Sequence, residues 1–307
     1  MGIAELPSIG AAVVTLGVFD GVHLGHRAIL AATRSLAAER SASGLALVFD
    51  PPPDEVLRPG TTVPRLAPLR VNLARIVAAG VERAMPIRFD EALRELAAGE
   101  FLDVLSPAVE VAGLVMSSRS AFGRDRAGTP TRMQELGAER GFAVRVVAPI
   151  EVGDAIVSST RVRKAIASGD VEGAQALGVA PYLEGILVTG DRRGRELGFP
   201  TANLRFAYAP AMPALGIYAG RVTEAGEGVV PGHPALISIG TRPTFHAGTE
   251  VLAEVHLLDF DGDLYGVLLG VELVARLRDE RRFEDVDALV TQMERDAEMG
   301  RAVLGVS

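Results

Sequence analysis

Between residues 10 and 150, short apolar, β-branched runs alternate with amphipathic helical stretches, and after Pro181 that alternation stops. A chain ordered in this way must build a parallel sheet covered by helices and then a second body of antiparallel strands. The first part reads AAVVTLG, a helix from about His26 to Glu39, LALVFD, a helix over Leu69–Ala79 and AMPI. It continues with a helix over Glu91–Leu105, AGLVM, a helix over Met133–Gly141 and AVRVVAP. Residues 158–178 predict two short helices split at SGD, with the hydroxyls of SST suited to cap the first. Beyond Pro181, the runs EGILVTG, GIYAGRV, ALISIG, LAEVHLLDF and YGVLLGVELVARLR are divided by Gly, Pro and Asp-Gly turns and predict an antiparallel barrel. Glu284–Val303 carries Val286, Leu289 and Met293 at helical spacing and predicts one closing helix. The boundary is expected near residues 178–184, giving domains of residues 1–180 and 181–307.

Composition narrows the chemistry. A chain of 307 residues is long enough for two domains at about 100–200 residues each. With 48% hydrophobic and 23% charged residues it is neither disordered nor membrane-spanning in character. A net charge of −8 has the wrong sign for neutralising a nucleic-acid backbone, so no nucleic acid is expected as partner. The lack of cysteine excludes disulfides, thiolate metal sites and cysteine nucleophiles. The opening MGIAELPSIGAAVV has no basic flank before an apolar run, which predicts a cytoplasmic protein without signal or anchor. Lys164 is the only lysine, so arginine must do the anion binding.

Four segments carry candidate chemistry. GVFDGVHLGH at 17–26 follows the first strand and opens the first helix, placing His23 and His26 at i and i+3 beside free amides suited to phosphate. Such a turn suits nucleotidyl transfer; the plainer alternative is a pair of surface histidines. SSTRVR at 158–163 offers hydroxyls and two arginines at a helix start, where an ordinary capped helix explains the residues equally well. TGDRRGRELGFPTANL at 189–204 interleaves glycines 190, 194 and 198 with Arg192, Arg193 and Arg195. It lacks the Gly-Lys-Ser/Thr of a P-loop and reads as another phosphate-cradling loop. Thr201 and Asn203 within it are hard oxygen ligands suited to a magnesium that bridges phosphates. In EVLAEVHLLDFDGDLYG, alternation puts Leu252, Glu254, His256 and Leu258 on one strand face. Glu254 there could serve as a general base or be a rim glutamate paired with an arginine.

In this order, the segments resemble the bacterial bifunctional riboflavin kinase and FMN adenylyltransferase family, the FAD synthetases. GVFDGVHLGH and SSTRVR resemble the adenylyltransferase signatures, and GRELGFPTANL, GIYAG, IGTRPTF, the Glu254 strand, DLYG and LRDERRF resemble the kinase signatures. The resemblance covers essentially the whole chain. It implies an α/β Rossmann-like nucleotidyltransferase domain followed by a six-stranded, mostly antiparallel β-barrel kinase domain with a C-terminal helix, using ATP and Mg²⁺. It further implies that the C-terminal domain phosphorylates riboflavin to FMN and the N-terminal domain adenylylates FMN to FAD. Glu254 would then activate the ribityl hydroxyl, and Thr201 and Asn203 would hold Mg²⁺. Gly190, Arg195, Gly198 and Pro200 would belong to the loop covering the ATP phosphates. His23 and His26 would stabilise the transferring AMP within the nucleotide turn that includes Gly17, Phe19 and Asp20. Ser159, Thr160 and Arg163 would bind the departing pyrophosphate.

Three stretches depart from the family pattern. Pro52 stands in Phe49-Asp50-Pro51-Pro52-Pro53 where the family usually reads F-D-P-H-P. Ser117-Ser118-Arg119-Ser120-Ala121-Phe122-Gly123 stands for G-x-D-F-x-F-G, and Thr189 for a histidine before the glycine loop. Alternatives therefore stay open at this point: a kinase whose first domain is inactive or takes another nucleotide or flavin analogue, a nucleotidyltransferase for a non-flavin phosphate, or a non-catalytic flavin or nucleotide binder. Oligomeric state is not legible.

Overall fold

The computed structural model describes residues 1–189, 200–225, 229–243 and 249–306. Contacts group it into two compact units, one of Met1–Val63 with Pro68–Ser159 and one of Pro64–Ala67 with the chain from Thr160 onward.

The first unit is built on β1 (Gly10–Gly17), β2 (Ser43–Asp50), β3 (Arg83–Arg88), β4 (Val109–Ser117) and β5 (Ala143–Val147). They form one parallel sheet in the order β3-β2-β1-β4-β5. A parallel sheet is covered on both faces, which is why β1 reads as a continuous apolar run rather than an alternating one. Val14, Leu45, Leu47 and Leu114 bury one face against Phe101, Leu102 and Leu105 of α5 (Ala98–Leu105). Val13 and Val115 bury the other against Leu36 and Ala37 of α1 (Leu24–Glu39). Gly113 permits that approach, because a Cβ there would lie 3.0 Å from Leu36 Cδ2. The other helices are α2 (Pro53–Leu57), α3 (Leu69–Ala78), α4 (Glu91–Arg94) and α6 (Pro130–Arg140), and β6 (Glu151–Val152) pairs with β7 (Ala155–Ile156).

The single helix expected over Glu91–Leu105 is two. Ala97 is extended (φ −64°, ψ 159°), and Glu100 Oε2 accepts from its N–H at 2.7 Å, starting α5 afresh. The expected pair of helices after residue 158 is present as α7 (Ser159–Ala167) and α8 (Val171–Ala176).

In the second unit β8 (Tyr182–Val188), β9 (Ala202–Arg205), β10 (Gly216–Glu224), β11 (Pro234–Pro243), β12 (Thr249–Leu257) and β13 (Leu268–Arg278) close a barrel in the order β10-β11-β12-β9-β8-β13. Every neighbouring pair is antiparallel. Leu183, Tyr218, Ile237, Ile239, Ala253, Val255 and Leu273 fill the interior. By the period-two rule Ser238, Glu254 and His256 therefore lie on the outer face. Helix α9 (Val286–Leu304) covers part of that face, where Leu236, Leu258 and Ala297 pack together. Its buried stripe is Gln292, Asp296, Ala297, Gly300 and Leu304, while Val286 is 56% exposed. Of the expected apolar stripe Leu289 and Met293 are half-buried, and the buried line also takes in two polar groups, Gln292 and Asp296, that are satisfied by arginines.

Candidate functional site

The sheet order reverses direction between β1 and β4, so a crevice opens at their carboxyl ends, where open α/β sheets bind ligands. The chain leaves β1 at Gly17 through a turn with Phe19, Gly21 and Val22 at positive φ. A Cβ at Gly17 would lie 3.3 Å from the Phe19 ring. The turn is held from outside itself. Gly21 N–H donates to Asn72 Oδ1 at 3.0 Å, Asn72 Nδ2 donates to Asp20 Oδ1 at 3.3 Å, and Ser159 Oγ donates to the Asp20 carbonyl at 3.0 Å. Arg27 Nε donates to the Val22 carbonyl at 3.1 Å. Asp20 and Asn72 are 2% and 4% exposed, so the carboxylate faces the scaffold.

This turn delivers His23 as the N-cap of α1, with its Nδ1 accepting from His26 N–H at 3.3 Å. An accepting Nδ1 fixes the proton on Nε2. The His23 and His26 rings stack with centroids 3.7 Å apart and planes 15° from parallel, and Phe19 packs on His26 at 5.1 Å. His26 retains some surface, yet its ring is enclosed; burial first, and the neighbouring His23 second, hold its pKa well below the ordinary histidine value. His26 Nδ1 is buried without a partner among the described residues. Two stacked neutral imidazoles at a helix N-terminus form a donor set suited to an anionic phosphoryl group.

Around the same crevice Pro52 is buried as the N-cap of α2, supplying bulk and no side-chain donor. Arg119 is exposed just past β4, in a turn where Ser120 Oγ donates to the Ser117 carbonyl at 2.8 Å. Beside these loops lies a cavity of about 320 Å³ walled by Phe49, Phe89, Phe101 and Phe122, with Arg94 and Arg126 among its lining. Such a pocket suits a flat aromatic ring system with an anionic tail. Thr160 follows Ser159 on α7, and Arg163 Nε donates to the Pro64 carbonyl at 2.6 Å.

In the barrel, Glu254 on β12 stands directly opposite Asn203 on β9 and Ser238 on β11. Directly opposed residues share a face, so the carboxylate and the amide are close neighbours. Asn203 Oδ1 is buried without a partner among the described residues. A hard, unsatisfied oxygen beside a carboxylate fits a magnesium ion that draws its remaining ligands from phosphate and water. Thr201 lines a cavity of about 350 Å³ together with Pro200, Ala202, Phe260, Asp263 and Tyr265. Glu254 lies outside that lining, on the opposite strand face. The glycine–arginine loop, with Gly190, Arg195 and Gly198, lies outside the described residues.

The segment after β13 runs along the same outer face. A Cβ at Gly240, two residues along β11 from Ser238, would lie 3.0 Å from Glu280 Oε1. The segment is tied to α9: Arg278 makes a forked pair with Asp296 at 2.6 to 3.0 Å, Gln292 Nε2 donates to Asp296 Oδ1 at 2.7 Å, and Arg281 donates to Gln292. Both arginines also stack on Phe283, at 5.8 and 4.9 Å. Sequence reasoning missed Asn72, Gln292 and Asp296. For Asn72 the sequence carries no local signal, since its partners are about fifty residues away. For Gln292 and Asp296 the i, i+4 spacing on a helix was the available signal.

Comparison with known proteins matches both halves of the chain. Residues 7–161 match the family model described as FAD synthetase, and residues 177–304 match the one described as riboflavin kinase. A bifunctional riboflavin kinase/FMN adenylyltransferase of Pseudomonas fluorescens is 37% identical, with 98% of this chain and 96% of that protein covered. The protein of the same name from Escherichia coli K12 is 36% identical over 99% and 96%, and that of Bacillus subtilis 168 is 32% identical over 92% and 90%. A crystal structure described as a macrolide-efflux protein from Streptococcus pneumoniae superposes with a TM-score of 0.87, at 30% identity, covering 98% of this chain and 97% of the other. With both halves matched in order over nearly the full length of these relatives, the chain belongs to the bifunctional riboflavin kinase/FMN adenylyltransferase family.

Proposed function

We propose that this chain is a transferase that phosphorylates riboflavin to FMN on its barrel and adenylylates FMN to FAD on its parallel-sheet unit, with ATP as donor in both steps. The observation that carries the reading is the cross-strand pair of Glu254 and Asn203, the latter with its buried, unpartnered Oδ1. Glu254 takes the proton of the ribityl 5′-hydroxyl as that oxygen bonds to the γ-phosphorus and the bond to ADP breaks. Thr201 and Asn203 hold Mg²⁺, which neutralises phosphate charge when bound. The cavity at Thr201, with Phe260 and Tyr265 in its wall, takes the nucleotide.

On the first unit an FMN phosphate oxygen bonds to the α-phosphorus of ATP and pyrophosphate leaves. The attacking oxygen is already anionic, so this step needs stabilisation of charge more than a base. His23 and His26 stabilise the transferring group, and Thr160 and Arg163 take the pyrophosphate. Gly17, Phe19, Asp20 and Ser159 shape the turn. The phenylalanine-walled cavity takes the flavin ring. We assign residues 1–180 to the transferase module, because SSTRVR serves its chemistry, and 181–307 to the kinase module. Nucleic acid has no role in either reaction, and the cytoplasm, where ATP is made, is the proposed compartment. No helix among the described residues is long and apolar enough to cross a membrane.

Incubation with riboflavin, ATP and Mg²⁺, and separately with FMN and each nucleoside triphosphate, tests the reading when the flavin products are separated by chromatography and mass. FMN and FAD are expected, and both steps should stop on chelation of the metal. Absence of FMN would overturn the kinase assignment. Buried Pro52 and exposed Arg119 favour a second reading in which the first module is idle or uses another base; FMN without FAD, or a non-adenine dinucleotide, would establish it.

A further inference from the structure

His256 does not touch the reacting groups in the mechanism above, yet it is joined to the segment that supplies the metal ligands. It lies two residues from Glu254 on β12 and on the same outer face. Its Nδ1 is 2.8 Å from the Pro200 carbonyl. A carbonyl can only accept, so Nδ1 carries the proton. The Pro200 carbonyl belongs to the peptide plane that leads into Thr201. The other end of the segment, Asn203, is held by the ladder opposite Glu254. One strand therefore fixes the general base and both ends of Pro200–Asn203. Burial holds the His256 pKa below the ordinary value; the Pro200 carbonyl and Asp259 act against that shift, and Arg301 of α9 acts with it. Arg301 is itself paired with Asp259 at 2.7 Å, and Glu294 and Glu298 of α9 line the same groove as His256.

Resting on the kinase reading, we propose that His256 is a positioning residue: its Nδ1–H pins the Pro200–Thr201 peptide and thereby sets where Thr201 and Asn203 present their oxygens to Mg²⁺ and the ATP phosphates. The imidazole does not contact substrate, so its loss should appear in metal-dependent nucleotide binding and leave riboflavin binding unchanged.

The test uses the full chain and two variants. Asn places an amide N–H close to where imidazole Nδ1–H sits, so His256→Asn keeps the donor that His256→Leu removes. ADP binding is measured by calorimetry with and without Mg²⁺, alongside the KM for riboflavin and the Mg²⁺ concentration giving half-maximal FMN formation. Loss of one hydrogen bond corresponds to about a tenfold change. His256→Leu is expected to weaken ADP binding about tenfold with Mg²⁺ only, and to raise the half-maximal Mg²⁺ by a similar factor, with the riboflavin KM and the metal-free ADP affinity unmoved. His256→Asn is expected to recover most of the loss. Equal Mg²⁺-dependent affinity in wild type and His256→Leu would overturn the positioning role and leave the kinase reading standing. So would equal losses in the two variants, or losses shared with riboflavin. A wild type whose ADP affinity ignores Mg²⁺ would overturn the metal reading and this proposal together.

Discussion

A buried histidine with a depressed pKa leaves a signature in the pH dependence of stability. In the unfolded chain His26 titrates near the ordinary value of about 6.5, whereas in the fold burial and His23 resist protonation. Above that value both states are neutral and the native state loses nothing. As pH falls through about 6.5 toward the lower folded pKa, the unfolded state binds a proton that the native state does not, and stability drops. Urea midpoints at about pH 7.5 and about pH 5.5 should show wild type losing more stability on acidification than His26→Gln. Equal pH slopes would mean that His26 is not held neutral by the fold. The spacing of His23 and His26 made their common helix turn legible in the sequence, because i and i+3 are neighbours on any helix. That His23 spends its Nδ1 on the helix amide depends on side-chain rotation and carries no sequence mark.

Asn72 shows how an element distant in sequence sets a catalytic turn. Its amide is the acceptor for Gly21 N–H and a donor to Asp20, and α3 exists in part to bring it there. Asn72→Ala leaves a buried N–H unsatisfied and should cost about 1–3 kcal/mol in a urea titration. It should also slow FAD formation while sparing FMN formation; equal slowing of both would assign it a global role. On α9 the corresponding device is Asp296, which is 3% exposed and carries the forked pair with Arg278. Asp296→Ala leaves that arginine unpaired and should destabilise the protein by about 3–5 kcal/mol, read in the same titration. The parallel-sheet strands and the longer barrel strands were legible because burial on both faces writes a continuous apolar run and burial on one face an alternating one. The four residues of β9 were not, being too few to show a period and carrying the Ala202-Asn203 pair of the metal segment. The break between α4 and α5 was hidden because Ala97 is a good helix former, and only the reach of Glu100 back to its N–H marks a new start.

At the scale of the molecule, the histidine turn belongs to the first unit and Glu254 and Asn203 to the second, with Thr160 and Arg163, proposed for the pyrophosphate, grouped in the second as well. The two proposed steps share FMN, product of one and substrate of the other. Single lesions should therefore separate cleanly. His23→Ala removes a donor aimed at the transferring group and should lower FAD formation about 10²–10³-fold with FMN formation intact. Glu254→Gln removes the base and should lower FMN formation about 10²–10⁴-fold while FAD is still made from supplied FMN. A mixture of the two variants given riboflavin, ATP and Mg²⁺ should then make FAD, because FMN released by one is adenylylated by the other. If each variant keeps its own step but the mixture makes no FAD, FMN does not escape into solution at a useful rate. The two units would then have to be coupled through more than their shared substrate.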